Sequence, residues 1–379
     1  MARVPAASSD GVSSASRPSV VVDARMLASS GIGTYLQNTL SRIVAARPDW
    51  RFTLLGERAQ LESAGLASPA NVQVRETRAP IYSLREQFAF AAPGLRRAEL
   101  FWSPHYNVPL LTTRRLLVTI HDVMHLALPE YQGRWPRRQY ATTMYAAVRR
   151  RAAAVICNSE YTRRELERLA GPVRSTHVIH LGVDTTWFAA ARPWDGHAAR
   201  PYIVFVGLAK PHKNLVGLLR AFAMIRHRIP HDLMIIGGNP QVLRTVDDRI
   251  AAEAAGLRER LHVVDHLQLS ALQQCVAGAD VLVQPSLCEG FGLPPLEAMA
   301  AGTPCLVSRI EPLIEVCGEA AAYCDPHDPH DIAEQLLGLL QSPATRHDLR
   351  RRGRGHARTF SWDRTADDTL SIFEQVLAS

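Results

Sequence analysis

The sequence predicts an α/β protein built from two doubly wound domains with a ligand crevice between them. Short apolar runs alternate with helical patterns along nearly all of the 379 residues, and strand–helix alternation of this kind builds parallel sheets. The rhythm lapses at 189–200, a stretch of linker composition, and then starts afresh. A chain of this length also exceeds one ordinary hydrophobic core.

In chain order, residues 1–18 are rich in Ala, Ser and Pro and lack the apolar stretch of a signal peptide, so a disordered tail is expected. The first domain is expected over 19–188. Its strand at 19–23 runs into Ser29-Ser-Gly-Ile-Gly33, read as a glycine loop, and then into an amphipathic run at 34–46 with Leu36, Leu40, Ile43 and Val44 at helical spacing. Further strands are expected at 52–56, 71–74, 100–104 and 115–120, with an arginine-bearing helix or loop at 81–98. The strand at 115–120 ends on His121-Asp122, followed by His125. Catalytic groups of open α/β sheets collect at strand carboxyl ends, although the same place suits a histidine that satisfies a buried backbone group. A basic helix at 134–151, a strand at 153–157 and a helix at 161–169 capped by Ser159 complete this half, which closes over 177–184.

The second domain is expected over 201–360. Strands at 202–206, 233–236, 261–264, 281–284, 305–308 and 321–324 alternate with helices at 215–228, 270–277 and 331–340. A last helix at 365–377, within the segment 361–379, is expected to return toward the first domain. The stretch after the strand at 281–284 carries the densest signal. Glu289 and Glu297 bracket a Gly-Phe-Gly-Leu-Pro-Pro turn, and a helix begins near Pro294 or Pro295, where proline is well tolerated. A strand, a glycine turn and a helix start can present free N–H groups to an anion, or can simply be a turn with two solvated glutamates.

Composition narrows the classes. Apolar residues make up 47% and charged residues 21%, which describes a globular protein. No apolar run reaches the roughly 20 residues that span a bilayer. Six cysteines without a C-x-x-C pair read as reduced thiols, not as a disulfide framework or zinc site. The net charge of +7 is uneven: residues 1–190 hold 24 arginines against 14 acidic residues, leaving the remainder at −3. A basic half of this kind suits an anionic membrane surface or a phosphorylated lipid. Nucleic acid is not expected, because no aromatics interleave the arginines. Of 43 basic residues only two are lysines, Lys210 and Lys213, in one loop. Lysine is a compact charge for phosphate, so that loop is expected to use an ammonium.

Together these motifs resemble the retaining glycosyltransferases of family 4, with the GT-B architecture, from about Val20 to Leu377. Glu289, seven residues and Glu297 match the family's Glu-x7-Glu motif, with Gly290-Phe-Gly-Leu-Pro294 between them. Gly31-Ile-Gly33, Ile120-His-Asp122, Asn158-Ser-Glu160, Gly182-Val-Asp184, Lys213-Asn214 and Phe360-Ser-Trp362 support the match. The resemblance implies a nucleotide-sugar donor and a saccharide or lipid-linked acceptor, in a mannosyltransferase- and rhamnosyltransferase-like branch for which GDP-mannose is the first choice of donor. It implies that Glu297 binds the ribose, and that Glu289 lies beside the transferred sugar. The N–H groups of Phe291, Gly292 and Leu293 would face the diphosphate, with Lys213 neutralising it and Gly33 letting the Gly31 loop approach. His121 would contact a sugar hydroxyl. No metal or other cofactor is expected, since no Asp-x-Asp pair stands at a strand end. The expected location is cytoplasmic, peripheral at the inner face of the membrane.

Two departures from the family pattern stand out. His212 occupies the place of an arginine, so Lys210 is expected to compensate, or donor binding to weaken above the histidine pKa. Asp265-His266 replaces a glycine near the base. Other readings on this fold are a nucleotide-sugar epimerase, a synthase of free disaccharides and a non-enzymatic polysaccharide-binding module. A nicotinamide-dependent oxidoreductase would need a full G-x-G-x-x-G with a ribose-binding acid.

Overall fold

The computed structural model describes residues 17–95, 98–111, 115–127, 135–190, 200–237, 248–257 and 259–379. Most of the expected tail (1–16) and of the expected linker (191–199) lies outside the described residues. Thirteen described strands divide between two sheets in which every pairing is parallel. The first sheet holds β1 (Ser19–Asp23), β2 (Arg51–Gly56), β3 (Val72–Glu76), β4 (Leu100–Ser103), β5 (Arg115–Ile120), β6 (Ala152–Cys157) and β7 (Thr176–Val178), in the order β3-β2-β1-β4-β5-β6-β7. The second holds β8 (Tyr202–Val206), β9 (Asp232–Ile236), β10 (Leu261–Val264), β11 (Val281–Gln284), β12 (Cys305–Ser308) and β13 (Ala322–Cys324), in the order β10-β9-β8-β11-β12-β13. Helices cover both faces, so the central strands read as continuous apolar runs: Val20, Val21 and Val22 in β1, and Val281, Leu282 and Val283 in β11, are all buried.

Each sheet reverses its strand order once, between β1 and β4 and between β8 and β11. Loops leaving the carboxyl ends of strands on either side of such a reversal diverge and open a crevice. The loops after β1, β4, β5, β8 and β11 therefore set the place of the site.

Two of the departures from expectation are instructive. The helix Ser30–Ala46 begins four residues early, so Gly31 and Gly33 lie in its first turn and not in a loop. A Cβ on Gly33 would meet the Leu27 carbonyl oxygen at 2.1 Å, and this close backbone approach is what requires glycine there. The helix Pro343–Ala357 carries no apolar stripe by which to foresee it, since only Leu349, Gly353 and Ala357 are buried. Arginines tether it instead: Arg350, Arg352 and Arg354 donate to the carbonyls of Gly302, Glu319 and Phe188 at 2.7, 2.9 and 2.7 Å.

The last helix, Trp362–Ala378, is capped by the Ser361 hydroxyl, which accepts from the Asp363 N–H at 3.1 Å. Its chain positions follow the second sheet, yet it packs on the first domain, against Ser30–Ala46 and β4 to β6. Phe373 is fully buried there, stacked on Trp50 at 6.5 Å and edge-on to Trp102 at 5.1 Å. Val183 pairs with Ser361 just before the helix, and a Cβ on the neighbouring Gly182 would lie 2.1 Å from the Trp362 nitrogen. Gly182→Ala is accordingly expected to push the helix off its seat and to destabilise the fold by about 1–3 kcal/mol. Denaturant midpoints and amide exchange over 362–378 measure this, and unchanged protection in the variant would refute the contact.

Candidate active site

A cleft of about 1020 Å³ lies between the two domains at the carboxyl ends of both sheets. Glu289, His121, Gly31, Lys210, Lys213, Phe291, Gly292, Leu293 and Glu297 all line it. Gly33 does not: it is buried against Leu27 between the lining residues Ile32 and Thr34, so it is corrected from a donor-binding residue to one whose missing Cβ lets the Gly31 turn pack closely.

Lys213 and Glu289 form the floor. Lys213 Nζ donates to both carboxylate oxygens, at 2.7 and 2.9 Å. Ser286 Oγ and Gln284 Nε2 add donors to Oε1 at 2.7 and 3.1 Å. Burial alone would raise the Glu289 pKa, but Lys213 and the Ser286 hydroxyl outweigh it and hold the carboxyl below its ordinary range. The lysine is aimed by its neighbour. Asn214 sits in the left-handed conformation at φ 56° and donates to the Pro285 and Pro326 carbonyls at 3.0 and 2.7 Å, which pins the loop after β8 to the second sheet. Lys210 is exposed at the cleft edge.

The helix Leu293–Ala301 starts above this floor. Gly292 takes its N-cap position at φ 122°, and no side chain caps it. Two of the first helical residues, Pro294 and Pro295, have no N–H to satisfy. The N–H groups of Phe291, Gly292 and Leu293 donate to no carbonyl or side chain among the described residues. This leaves a positive helix end with free donors at the cleft wall. One turn on, Glu297 faces Asp184, and burial followed by that like charge pushes its pKa up to about 8.

His121 comes from the opposite wall, at the end of β5. Its ring stands edge-on to Tyr35 at 4.8 Å and donates to the Pro104 carbonyl through one nitrogen. The other, Nε2, is buried with no protein partner. Burial pushes its pKa down to about 4, so at neutral pH Nε2 offers a lone pair to a hydroxyl donor in the cleft.

The domains meet backbone to backbone beside His121. A Cβ on Gly290 would lie 1.9 Å from the His121 carbonyl oxygen. The Gly290 carbonyl accepts from Ser159 Oγ at 2.7 Å and Thr162 Oγ1 at 3.2 Å. Glu315 of the second domain caps the helix Glu160–Ala170 of the first, accepting from the Glu160 and Tyr161 N–H groups at 2.8 and 3.1 Å, and it meets His180 Nε2 at 2.8 Å.

Of the two expectations for His212, its surroundings favour compensation by Lys210 over titration of the imidazole. His212 is 3% exposed, and burial with Lys213 and Lys210 nearby pushes its pKa down to about 4, so it is neutral throughout roughly pH 5.5–8. Several cleft residues went unnoticed in the sequence. Asp122 was visible beside His121, and burial pushes its carboxyl up. Asp184 sits in a matched motif. Tyr82, His105 and Tyr106 gave no signal, because they reach the cleft from loops with no pattern of their own.

Lys213→Met strands the buried Glu289 carboxylate, with an expected cost on the order of 3 kcal/mol at neutral pH. The sign with pH follows. The paired carboxyl stabilises the fold above its ordinary pKa of 4.5, whereas the stranded one would be raised, so the deficit shrinks as acid protonates it. Denaturation of Lys213→Met and of Lys213→Met with Glu289→Gln, at about pH 5 and 7, checks this; equal deficits in both proteins at both pH values would refute it.

The family comparisons divide along the same two halves. The model described as "Glycosyltransferase Family 4" matches residues 31–187, and "Glycosyl transferases group 1" matches residues 194–356. The O-antigen chain mannosyltransferase B of Escherichia coli is 27% identical over 293 residues, covering 73% of this chain and 74% of that protein. The MMP alpha-(1->4)-mannosyltransferase of Mycolicibacterium hassiacum is 34% identical over 206 residues, covering 53% of this chain and 49% of that one, so the chain spans about half the length of this relative. Among solved structures, Anabaena HepE in complex with UDP and glucose superposes with a TM-score of 0.76 at 16% identity, covering 95% of this chain and 100% of that chain, a likeness of fold. With a family model on each half and both Rossmann-like domains facing one cleft, the chain belongs to the family 4 glycosyltransferases of GT-B fold.

Proposed function

We propose that this glycosyltransferase moves a mannosyl group from GDP-mannose to a saccharide or lipid-linked saccharide acceptor in surface-polysaccharide assembly, with retention at the anomeric carbon. The observation that carries the reading is the Lys213–Glu289 pair beneath the free helix start at Phe291, Gly292 and Leu293. When the anomeric C–O bond breaks, negative charge grows on the departing diphosphate. An ammonium and fixed N–H dipoles stabilise that charge without reorganising. Lys210 adds a second cation at the rim. These groups supply the positive charge that the departing diphosphate needs.

In the proposed step the acceptor oxygen attacks on the face from which the diphosphate leaves. The new C–O bond forms as the old one breaks, and the hydroxyl proton passes to a departing phosphate oxygen. Glu289, held ionised by Lys213, lies beside the transferred sugar, and His121 Nε2 accepts from one of its hydroxyls. Glu297 receives the ribose hydroxyls. Mannose is favoured by the names of two of the relatives, both mannosyltransferases, whereas others are named D-inositol 3-phosphate glycosyltransferases, which leaves the transferred sugar as a point for the test. HepE, bound to UDP and glucose, supports a nucleotide-sugar donor and makes a uridine nucleotide the competing choice. No described helix is long and apolar enough to cross a membrane. The arginine-rich first half suits peripheral contact with anionic lipid.

A thermal-shift panel of GDP, UDP, ADP and dTDP with their sugars tests the class and the base together. GDP-mannose is expected to give the largest shift, a larger shift with a uridine pair would replace the base, and no shift with any of them would sink the transferase reading. Glu297 adds a test by sign. In the free protein its carboxyl holds a proton below about pH 8, whereas ribose hydroxyls donate best to a carboxylate. Nucleotide binding at neutral pH should therefore release a proton, and affinity should rise toward pH 8. Calorimetry in two buffers of different ionisation enthalpy reads the proton. In Glu297→Gln the release should vanish and affinity should fall at least about tenfold; release that persists in the variant would misplace the ribose.

A further inference from the structure

The first domain's wall of the cleft carries a group of rings that the donor reading leaves unused. Tyr82, 43% exposed, stands at its edge with φ of 64°, a left-handed conformation that bulky residues rarely adopt. Strain of this kind persists where the surroundings over-determine it. Arg25 Nη1 donates to the Ala79 carbonyl at 3.2 Å and Ser83 Oγ to the Pro80 carbonyl at 2.6 Å, which holds the segment on both sides of the ring. The Tyr82 ring meets His105 edge-on at 5.7 Å and lies 5.8 Å from both Tyr106 and His125. Behind it Tyr106 stacks on Tyr145 at 4.7 Å.

A chain of hydrogen bonds aims the Tyr82 hydroxyl, and its polarity can be read link by link. Buried Glu86 accepts from Arg25 Nη2 and from Asn107 Nδ2, each at 3.2 Å. With its amide nitrogen on Glu86, Asn107 turns Oδ1 toward His105 Nδ1 at 2.7 Å, so that nitrogen carries the proton. Burial keeps His105 neutral, with its pKa pushed down to about 3, and Nε2 is then an acceptor for the Tyr82 hydroxyl at 3.4 Å. The ring is fixed in plane and direction before any ligand arrives.

Asp122, His125 and His121 line the same wall. An aromatic face with a carboxylate and imidazoles at its border suits a pyranose, whose flat C–H face packs on the ring while its hydroxyls reach the polar groups. We propose that Tyr82 is the stacking platform of the acceptor subsite, that a hexopyranose of the acceptor lies on its exposed face with hydroxyls toward Asp122 and His125, and that Glu86 is the positioning residue beneath it. The inference rests on the transferase reading and assigns the acceptor end of that same cleft.

Saturation-transfer NMR tests it, with methyl α-mannopyranoside and methyl α-glucopyranoside as probes and the protein saturated with whichever nucleotide stabilises it best. Ring C–H protons of at least one glycoside should receive saturation from the parent protein. Tyr82→Phe, which keeps the ring but frees it from His105 and so from Glu86, should weaken binding about two- to threefold, and Tyr82→Gly, which removes the ring and relieves the left-handed strain, should weaken it about five- to tenfold. Nucleotide affinity should be unchanged in both variants. A nucleotide-bound protein that takes up neither glycoside, or a Tyr82→Gly variant that binds them as the parent does, would overturn the platform. A protein that binds no nucleotide would instead remove the transferase reading beneath it.

Discussion

The approach of Gly290 to the His121 carbonyl sets the width of the cleft, and every distance across the site follows from it. One methyl group at Gly290 would overlap that oxygen, so the two domains touch here at backbone separation. The contact is fastened by hydroxyls of Ser159 and Thr162 on the Gly290 carbonyl and by Glu315 on the start of the helix Glu160–Ala170. It joins the residue after Glu289 to the residue at the end of β5. A single seam therefore holds the sugar-facing carboxylate, the diphosphate-facing helix start and the hydroxyl-facing histidine in one frame. The helix Trp362–Ala378, seated on Trp50 and Trp102, closes the frame from behind by returning the end of the chain to the first domain.

Buried charge is handled differently on the two sides. On the second domain Glu289 stays ionised because an ammonium and two neutral donors surround it, while Glu297, facing only like charge, is held protonated into the neutral range. Two glutamates eight positions apart thus enter the cleft in opposite protonation states. On the first domain His121 and His105 have their pKa values pushed down by burial and serve as directed neutral acceptors. Among the described residues that line the cleft, Lys210 is a lysine without a salt bridge, at the rim. A site with one paired ammonium, one free ammonium and neutral imidazoles is suited to an anionic leaving group on one side and a neutral polyol on the other.

Much of this was legible in the sequence because it is local. The strand–glycine–helix unit at 281–301 depends on residues adjacent in the chain, and so do the Ser159 cap and the pairing of both lysines in one loop. Gly33 and Gly182 could be seen as glycines, but what each glycine avoids, the Leu27 carbonyl and the Trp362 backbone, is set by packing. The helix Pro343–Ala357 was hidden because its arginines bind carbonyls of distant loops where an apolar stripe would otherwise announce it.

By itself the sequence determined two parallel-sheet domains, the Glu289-x7-Glu297 helix start and the lysine loop, since periodicity and turn chemistry act over a few residues. Tertiary structure alone decided the protonation of Glu297 and His212, the seam at Gly290 and the platform at Tyr82. Burial and the charges that come near a group depend on which distant segments pack against it, and no local pattern carries that information.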